Sequence, residues 1–466
     1  MTTPNGALAQ ILAAAGWDAA DAEAVTFTGA DPVLPANFMM ATAGAAAIAA
    51  SGLAAARLWR ARSGVDQQVS VDLRAAGVAM KSNKLMTVDD RPVSNDWLGI
   101  SGFYETGDGH WVQFHCNYPH HRDGVLAVLG CADDPAAVAA AVADRSAAQL
   151  EDVLTGNGMP VAMVRDGAAW ADHAQSAAVA ALPLLDIQRI GEAPREPLPV
   201  PEPGSDRPLA GIRALDLTRV LAGPVAGRTL AEHGAQVLTI NGPHLPYIEE
   251  QVMDTGHGKL SAHLDLRSPR GRDKLKALIA EADIFTQAYR PGALAGRGFS
   301  PEEAVALRPG LIYVDISAWS HVGPWAPRRG FDSLVQSASG LAHEHGRDGT
   351  PHHLPGQALD YVTGYLGAFG AMTALAHRAR EGGSWLVRLA LARSAHWMNG
   401  LGRVDGGDAR TIANPGLHDI GDLLQESATP WGRLTHMAPV AQLAATPGRW
   451  DHPTVPPGTH PPTWTQ

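Results

Sequence analysis

The sequence predicts an α/β protein whose core is a Rossmann-like parallel sheet, accompanied by a second, smaller α+β domain. Three observations carry that reading. Short apolar runs alternate with helical stretches from residue 211 onward. A Pro-rich stretch at 196–208, EPLPVPEPGSDRP, reads as an extended linker between this region and what precedes it. The chain has 466 residues, 45% hydrophobic and 18% charged, which is enough for a large core and excludes a disordered chain.

The N-terminal MTTPNGALAQILAAAG has no basic segment and reads as a short amphipathic helix, not a signal peptide. Residues 34–58 are apolar, but Ala and Gly dominate them and Pro35 and Asn37 interrupt their start. A buried helix fits better than a membrane span. Beyond the linker, residues 211–217 and 236–240 read as strands around a helix at 221–233. Ser268 starts a helix with Leu275, Leu278 and Ile279 on one stripe. Residues 283–285 and 311–316 are further strands, separated by a helix at 301–307. Such alternation implies right-handed crossovers, with ligands at the carboxyl ends of the strands. The Gly- and Ala-rich run at 365–376 reads as a buried helix. Just ahead of it stands Asp360, a lone carboxylate that must be satisfied, shifted in pKa or used. The local alternative is a helix cap, since Asp is a common N-cap residue.

Several function classes are excluded. A net charge of −11 lacks the basic footprint of a nucleic-acid binder. Two cysteines, Cys116 and Cys131, form no disulfide framework, which points to a reducing, cytoplasmic setting with no membrane attachment. The turn DLTRVLAGP at 216–224 lacks the G-x-G-x-x-G spacing, and no P-loop, C-x-x-C, HExxH or G-x-S-x-G occurs. His115, His120 and His121 in HCNYPHH would point to different faces at a strand end. They read as structural or solvated, with no metal expected.

The chain also echoes itself at an offset of 318 residues. Gly52, Ala56, Arg60, Gly64, Val69, Leu73 and Met80 recur as Gly370, Ala374, Arg378, Gly382, Val387, Leu391 and Met398. Each copy reads as an Ala-rich helix, a basic end that suits the helix dipole, a Gly turn and an alternating strand. The counterpart of Asp360 in the first copy is Thr42, so one copy alone carries the carboxylate.

Several motifs in order then resemble one family: PLAGI at 208–212, DLTRVLAGP at 216–224, LDLRSP at 264–269, YRPGAL at 289–294 and RGFDSLVQ at 329–336. Together they resemble the Rossmann part of the class III CoA-transferases, the formyl-CoA and carnitine CoA-transferase family of CaiB/BaiF type. The resemblance implies transfer of CoA from an acyl-CoA to a carboxylic acid, with Asp360 matching the family's nucleophile. By motif, Val220, Leu221 and Ala222 match the turn along CoA, while Lys259 and Arg329 match cationic phosphate contacts. Arg290 and Arg297 are further candidates. CoA thioester enters as substrate, with no permanently bound cofactor. Members of the family form interlocked dimers, for which a different dimer or a compact monomer would stand here.

The order differs from the family's. Residues 45–195, with GFYETGDG at 102–109 and GMPVAMV at 158–164, look like its downstream part yet precede the Rossmann part. This implies a permuted, partly duplicated arrangement: an echoing segment at 1–94, a small domain at 95–195, a linker at 196–207, a CoA-binding part at 208–360, and a completing segment at 361–466. The resemblance leaves two alternatives open. One is the family's racemase or epimerase branch, which carries His before the Asp of Gly-x-Asp where this chain has Phe331. The other is a non-catalytic CoA-binding member, because Gln287-Ala288 replaces the family's Glu-Asn.

Overall fold

A computed structural model describes residues 1–93 and 99–465. The sequence boundary between residues 94 and 95 lies outside the described residues. Helix α1 (Pro4–Ala14) opens the chain, and the Thr3 hydroxyl caps it by accepting the Gly6 N–H at 3.1 Å. Strand β1 (Val25–Thr28), helix α2 (Met40–Ser63), strand β2 (Val69–Asp72) and helix α3 (Leu73–Ala79) follow, with β1 and β2 parallel. A small antiparallel sheet comes next, made of β3 (Gly102–Glu105), β4 (Trp111–Phe114) and β5 (Val161–Met163). Val112, Phe114, Val125, Leu150 and Leu154 form its separate core against flanking helices.

Strand β6 (Asp186–Gly191) precedes the linker. After the linker come β7 (Arg213–Leu217), α4 (Ala222–Glu232), β8 (Gln236–Asn241), α5 (Glu249–Thr255), β9 (Lys259–His263), α6 (Pro269–Ile279) and β10 (Ile284–Gln287). Then follow α7 (Pro301–Leu307), β11 (Ile312–Ser317), α8 (Asp332–Ala338), α9 (Ala358–Glu381), β12 (Ser384–Ala390) and α10 (Leu391–Gly400). The large sheet runs β9-β8-β7-β10-β11-β12-β6. All its neighbours are parallel except β6, which pairs antiparallel with β12. Residues 186–191, grouped with the small domain by the sequence reading, therefore complete the edge of the large sheet. Residues before and after the linker build one sheet between them.

Helix α9 is buried along almost all of its length, packing against α2, α4 and the sheet. An all-round apolar helix has no solvent face, which explains its Gly- and Ala-rich composition. At Gly364 a Cβ would stand 2.5 Å from the Ala222 carbonyl oxygen, so a larger residue would push α9 off α4. Helix α2 is long and apolar enough to cross a membrane, but 94% of its most apolar window is buried inside the fold.

The echo has a structural counterpart. Helices α2 and α9 are both 24 residues long, so start and end keep one offset, 358 minus 40 and 381 minus 63. Gly64 and Gly382 close them, each donating its N–H to the carbonyl of Arg60 or Arg378. The two arginines then diverge. Arg378 is buried and bound to Asp283 at 2.9 Å, whereas Arg60 is exposed beside Asp66. Arg62 instead holds the linker, donating to the Pro199 carbonyl at 2.7 Å and the Ala210 carbonyl at 2.9 Å.

Candidate active site

Helix α9 begins at Ala358, earlier than the sequence run suggests, so Asp360 lies inside its first turn. It is not the cap. The cap comes from across space: Asp332 Oδ2 accepts the N–H of Leu359 at 2.9 Å and of Asp360 at 3.1 Å. Asp31 does the same for α2, accepting the N–H of Ala41 at 3.0 Å and of Thr42 at 2.8 Å. With capping delegated to Asp332, the Asp360 carboxylate accepts no hydrogen bond from the described residues. It is only 6% exposed, and that exposure opens into a cavity of about 720 Å³.

Burial and the neighbouring Asp332 charge raise the Asp360 carboxyl well above the usual range. Burial also pushes Asp332 up to about 6, opposed by the two N–H groups it caps. An attacking Asp360 must be ionised, so activity is expected to fall as pH drops through the pair's raised titration. Asp332→Asn keeps an acceptor for the cap but removes the like charge. It should move the acid limb of kcat/KM to lower pH, read from pH–rate profiles of the two proteins.

Both sides of the linker supply the cavity wall. Asn83, Lys84, His115 and Asn117 precede the linker; Val220, Leu221, Phe331, Asp332, Gln336 and Asp360 follow it. A buried network fixes the first group to α9. The Tyr361 hydroxyl accepts the Asn83 N–H at 3.0 Å and donates to Asp254 Oδ2 at 2.9 Å. Asp254 in turn takes the Ser82 hydroxyl and the Arg228 guanidinium, each at 2.8 Å. His115 stacks on Phe331 with ring centroids 3.9 Å apart, and its Nδ1 lies 3.1 Å from the Ser333 hydroxyl. Burial lowers its pKa to about 3 and keeps the ring neutral. His115 is thus a wall of the cavity and not a solvated residue. His120 and His121 lie in a helix start, not at a strand end; His120 is exposed and His121 buried. No group of three metal-ligating residues occurs among the described residues.

A second cavity of about 580 Å³ adjoins the first, and Val220, Ile248 and Gln251 line both. Val220 adopts φ of 72°, a left-handed backbone that strains a β-branched residue and is typical of ligand-binding turns. Leu221 lines the Asp360 cavity, while Ala222 is buried with its carbonyl facing Gly364. Lys259 reaches the second cavity, but its ammonium is held by Asp216 Oδ2 at 2.8 Å and the Pro224 carbonyl at 2.7 Å. It supports the turn from beneath. Gly227 is needed there, since a Cβ would meet Asp216 Oδ2 at 2.6 Å.

Arg329 contacts His121 Nε2 at 3.1 Å, and burial, with the Arg290 charge adding to it, lowers the Arg329 pKa. Arg290 and Arg297 are both exposed. Arg219, which sequence reasoning passed over inside a motif it used, lines the second cavity and lies over the Tyr118 ring at 5.3 Å. Among the described residues no carboxylate pairs with Arg219, Arg290, Arg297 or Arg329, although the chain is acidic overall. Of the four, Arg219 lines the second cavity, where an unpaired guanidinium suits an anionic ligand. Gly356 and Gly364, on either side of Asp360, serve packing. The Gly356 N–H donates to the Leu354 carbonyl at 2.7 Å, and Gly364 abuts α4.

The family model described as CoA-transferase family III matches two stretches, residues 13–195 and 209–411. The chain belongs to CoA-transferase family III. Among its relatives, an acyl-CoA transferase of Gibberella moniliformis is 30% identical over 362 residues, covering 69% of this chain and 63% of the fungal protein. The succinyl-CoA:glutarate CoA-transferase of Mus musculus is 36% identical over 193 residues, 38% of this chain and 44% of the mouse protein. The chain therefore spans less than two thirds of the length of either. A solved CAIB/BAIF family protein from Brucella suis aligns at 30% identity with a TM-score of 0.38, covering 41% of this chain and 55% of that one.

Proposed function

We propose that this family III chain moves CoA from an acyl-CoA thioester to a carboxylic acid through Asp360. The observation that carries this is a buried carboxylate, free of hydrogen bonds from the described residues, at the wall of a cavity that continues into one lined by Arg219. The ionised Asp360 attacks the thioester carbonyl; the C–S bond breaks and CoA leaves as thiolate, giving a mixed anhydride. The thiolate attacks the aspartyl carbonyl, releasing the first acid and leaving an aspartyl-CoA thioester. The acceptor carboxylate then displaces the thiolate, which attacks the acceptor's carbonyl and restores Asp360. Each tetrahedral intermediate forms beside the positive end of α9, whose dipole favours the developing charge. Relatives named as succinyl-CoA transferases to glutarate and to malate support this class of reaction.

Exchange of isotopically labelled CoA into acyl-CoA tests the reading: transfer predicts exchange without an acceptor, and its absence over a thioester panel contradicts it. Arg219 at the second cavity and Arg329, matched by motif, bear on CoA alone. Arg219→Gln and Arg329→Gln should each raise the KM for acyl-CoA about tenfold at unchanged kcat, since a charge-assisted contact contributes on that order. Steady-state kinetics check this.

One observation favours a second reading, α-proton exchange: His115 and Asp332 line the same cavity although Phe331 takes the place of the branch's His. Deuterium wash-in at the α-carbon without CoA transfer would select it. The permuted duplication is likewise our reading. It is supported by the equal lengths of α2 and α9, by matching caps from Asp31 and Asp332, and by two separate family matches.

A further inference from the structure

One wall of the second cavity comes from a segment outside both family-matched stretches, the later of which ends at residue 411. Val455 and Pro457 line the cavity, and their segment runs along β9, the edge strand of the large sheet. It is tied down on both sides of these two residues. Before them, the Trp450 indole N–H donates to the Arg228 carbonyl at 3.1 Å, and the His452 carbonyl accepts the Gly258 N–H at 2.8 Å. The buried Thr454 hydroxyl donates to the Val252 carbonyl at 2.8 Å. After them, the Gly458 N–H donates to the Ser261 hydroxyl at 3.2 Å and the His460 N–H to the Ser261 carbonyl at 2.7 Å. His460 Nδ1 accepts the Ser261 N–H at 3.1 Å.

These bonds cover backbone groups that an edge strand would leave open. The fit is close: at Gly256 a Cβ would stand 2.3 Å from the Thr454 hydroxyl oxygen. Val455 and Pro457 are themselves half-buried, held over the cavity by their neighbours. The cavity's place then names what it holds. A thioester carbonyl must reach Asp360 in the first cavity, and Val220, Ile248 and Gln251 line both cavities. The far end of CoA, its nucleotide, therefore falls in the second. There, apolar walls from Val252, Val455 and Pro457 stand beside Asn241, whose side-chain amide makes no hydrogen bond among the described residues. A flat base suits such a slot, with an amide to meet the donors and acceptors of its edge.

We infer that residues 454–458 form a wall of the CoA nucleotide subsite, with Val455 and Pro457 packing on the adenine. The assignment rests on the CoA-transfer reading above. Photolysis of the wild-type protein with an azidoadenine analogue of CoA, followed by peptide mass spectrometry, reads it directly. Label should fall on the tryptic peptide that begins at Trp450 and be lost in excess CoA. Label confined to other peptides, or no label, overturns the wall. Val455→Ala with Pro457→Ala should lower the ratio of kcat/KM for acetyl-CoA to that for S-acetylpantetheine, which lacks the nucleotide, by about tenfold, the worth of lost apolar contacts in a pocket. An unchanged ratio also overturns the assignment. The photolabel decides the matter even when the variant fails to fold. Labelled CoA exchange separates the two layers. Exchange without label on this peptide sinks the wall alone, whereas label there without exchange sinks the transfer reading and keeps the wall.

Discussion

Asp360→Asn is expected to lower CoA exchange by about 10⁴-fold or more while making the protein more stable. The two effects have one cause. Asn has the shape of Asp but cannot attack a thioester, so the covalent route closes. It also removes a buried carboxylate that accepts no hydrogen bond from the described residues and faces Asp332. Holding such a charge ready costs stability, and its removal should return about 1–2 kcal/mol at neutral pH. The sign is specific. The folded-state pKa of Asp360 is raised, so folding favours the protonated acid and stability declines as pH rises above the unfolded value. The advantage of Asn should thus be largest at neutral pH and vanish in acid, where both states are protonated. Urea unfolding across pH, beside exchange assays, measures both halves. A helix-capping role for Asp360 would give the opposite result, because removing a cap destabilises.

Lys259→Met carries the second large effect, and here the structure changes the expectation drawn from the family. A surface phosphate contact would raise KM and leave stability alone. Lys259 is instead 3% exposed and paired with Asp216, itself 1% exposed. Removing one partner strands the other charge in the core, which costs about 3–5 kcal/mol. The double change Asp216→Asn with Lys259→Met should recover much of that loss, since it leaves no buried charge uncompensated. Chemical denaturation of the wild type and both variants decides between support beneath the turn and direct ligand contact. Burial pulls the Lys259 ammonium below its ordinary range, with Asp216 opposing, as expected for a pair held out of water.

Much of the fold was legible because periodicity and punctuation survive locally. Ser268 caps α6 by accepting the Gly271 N–H at 3.0 Å, where the stripe of Leu275, Leu278 and Ile279 begins. What stayed hidden depends on partners distant in sequence. The cap of α9 comes from Asp332, 28 residues upstream, so the start of the helix and the freedom of the Asp360 carboxylate could not be read from flanking residues. Lys84 has no local signature at all; its place follows from Tyr361, 278 residues after Asn83. Strand β6 pairs with β12 across the linker, a choice that composition does not mark. Arg219 lay in full view within DLTRVLAGP, but a lone arginine reads as a surface charge until the fold places it at a cavity without a carboxylate partner among the described residues.

The covalent bond proposed at Asp360 can be trapped. Incubating the protein with acetyl-CoA, adding hydroxylamine and sequencing the peptides by mass spectrometry should place a hydroxamate on Asp360, absent without acyl-CoA and absent in Asp360→Asn. A protein that exchanges CoA yet leaves Asp360 unmodified under those conditions would contradict the account.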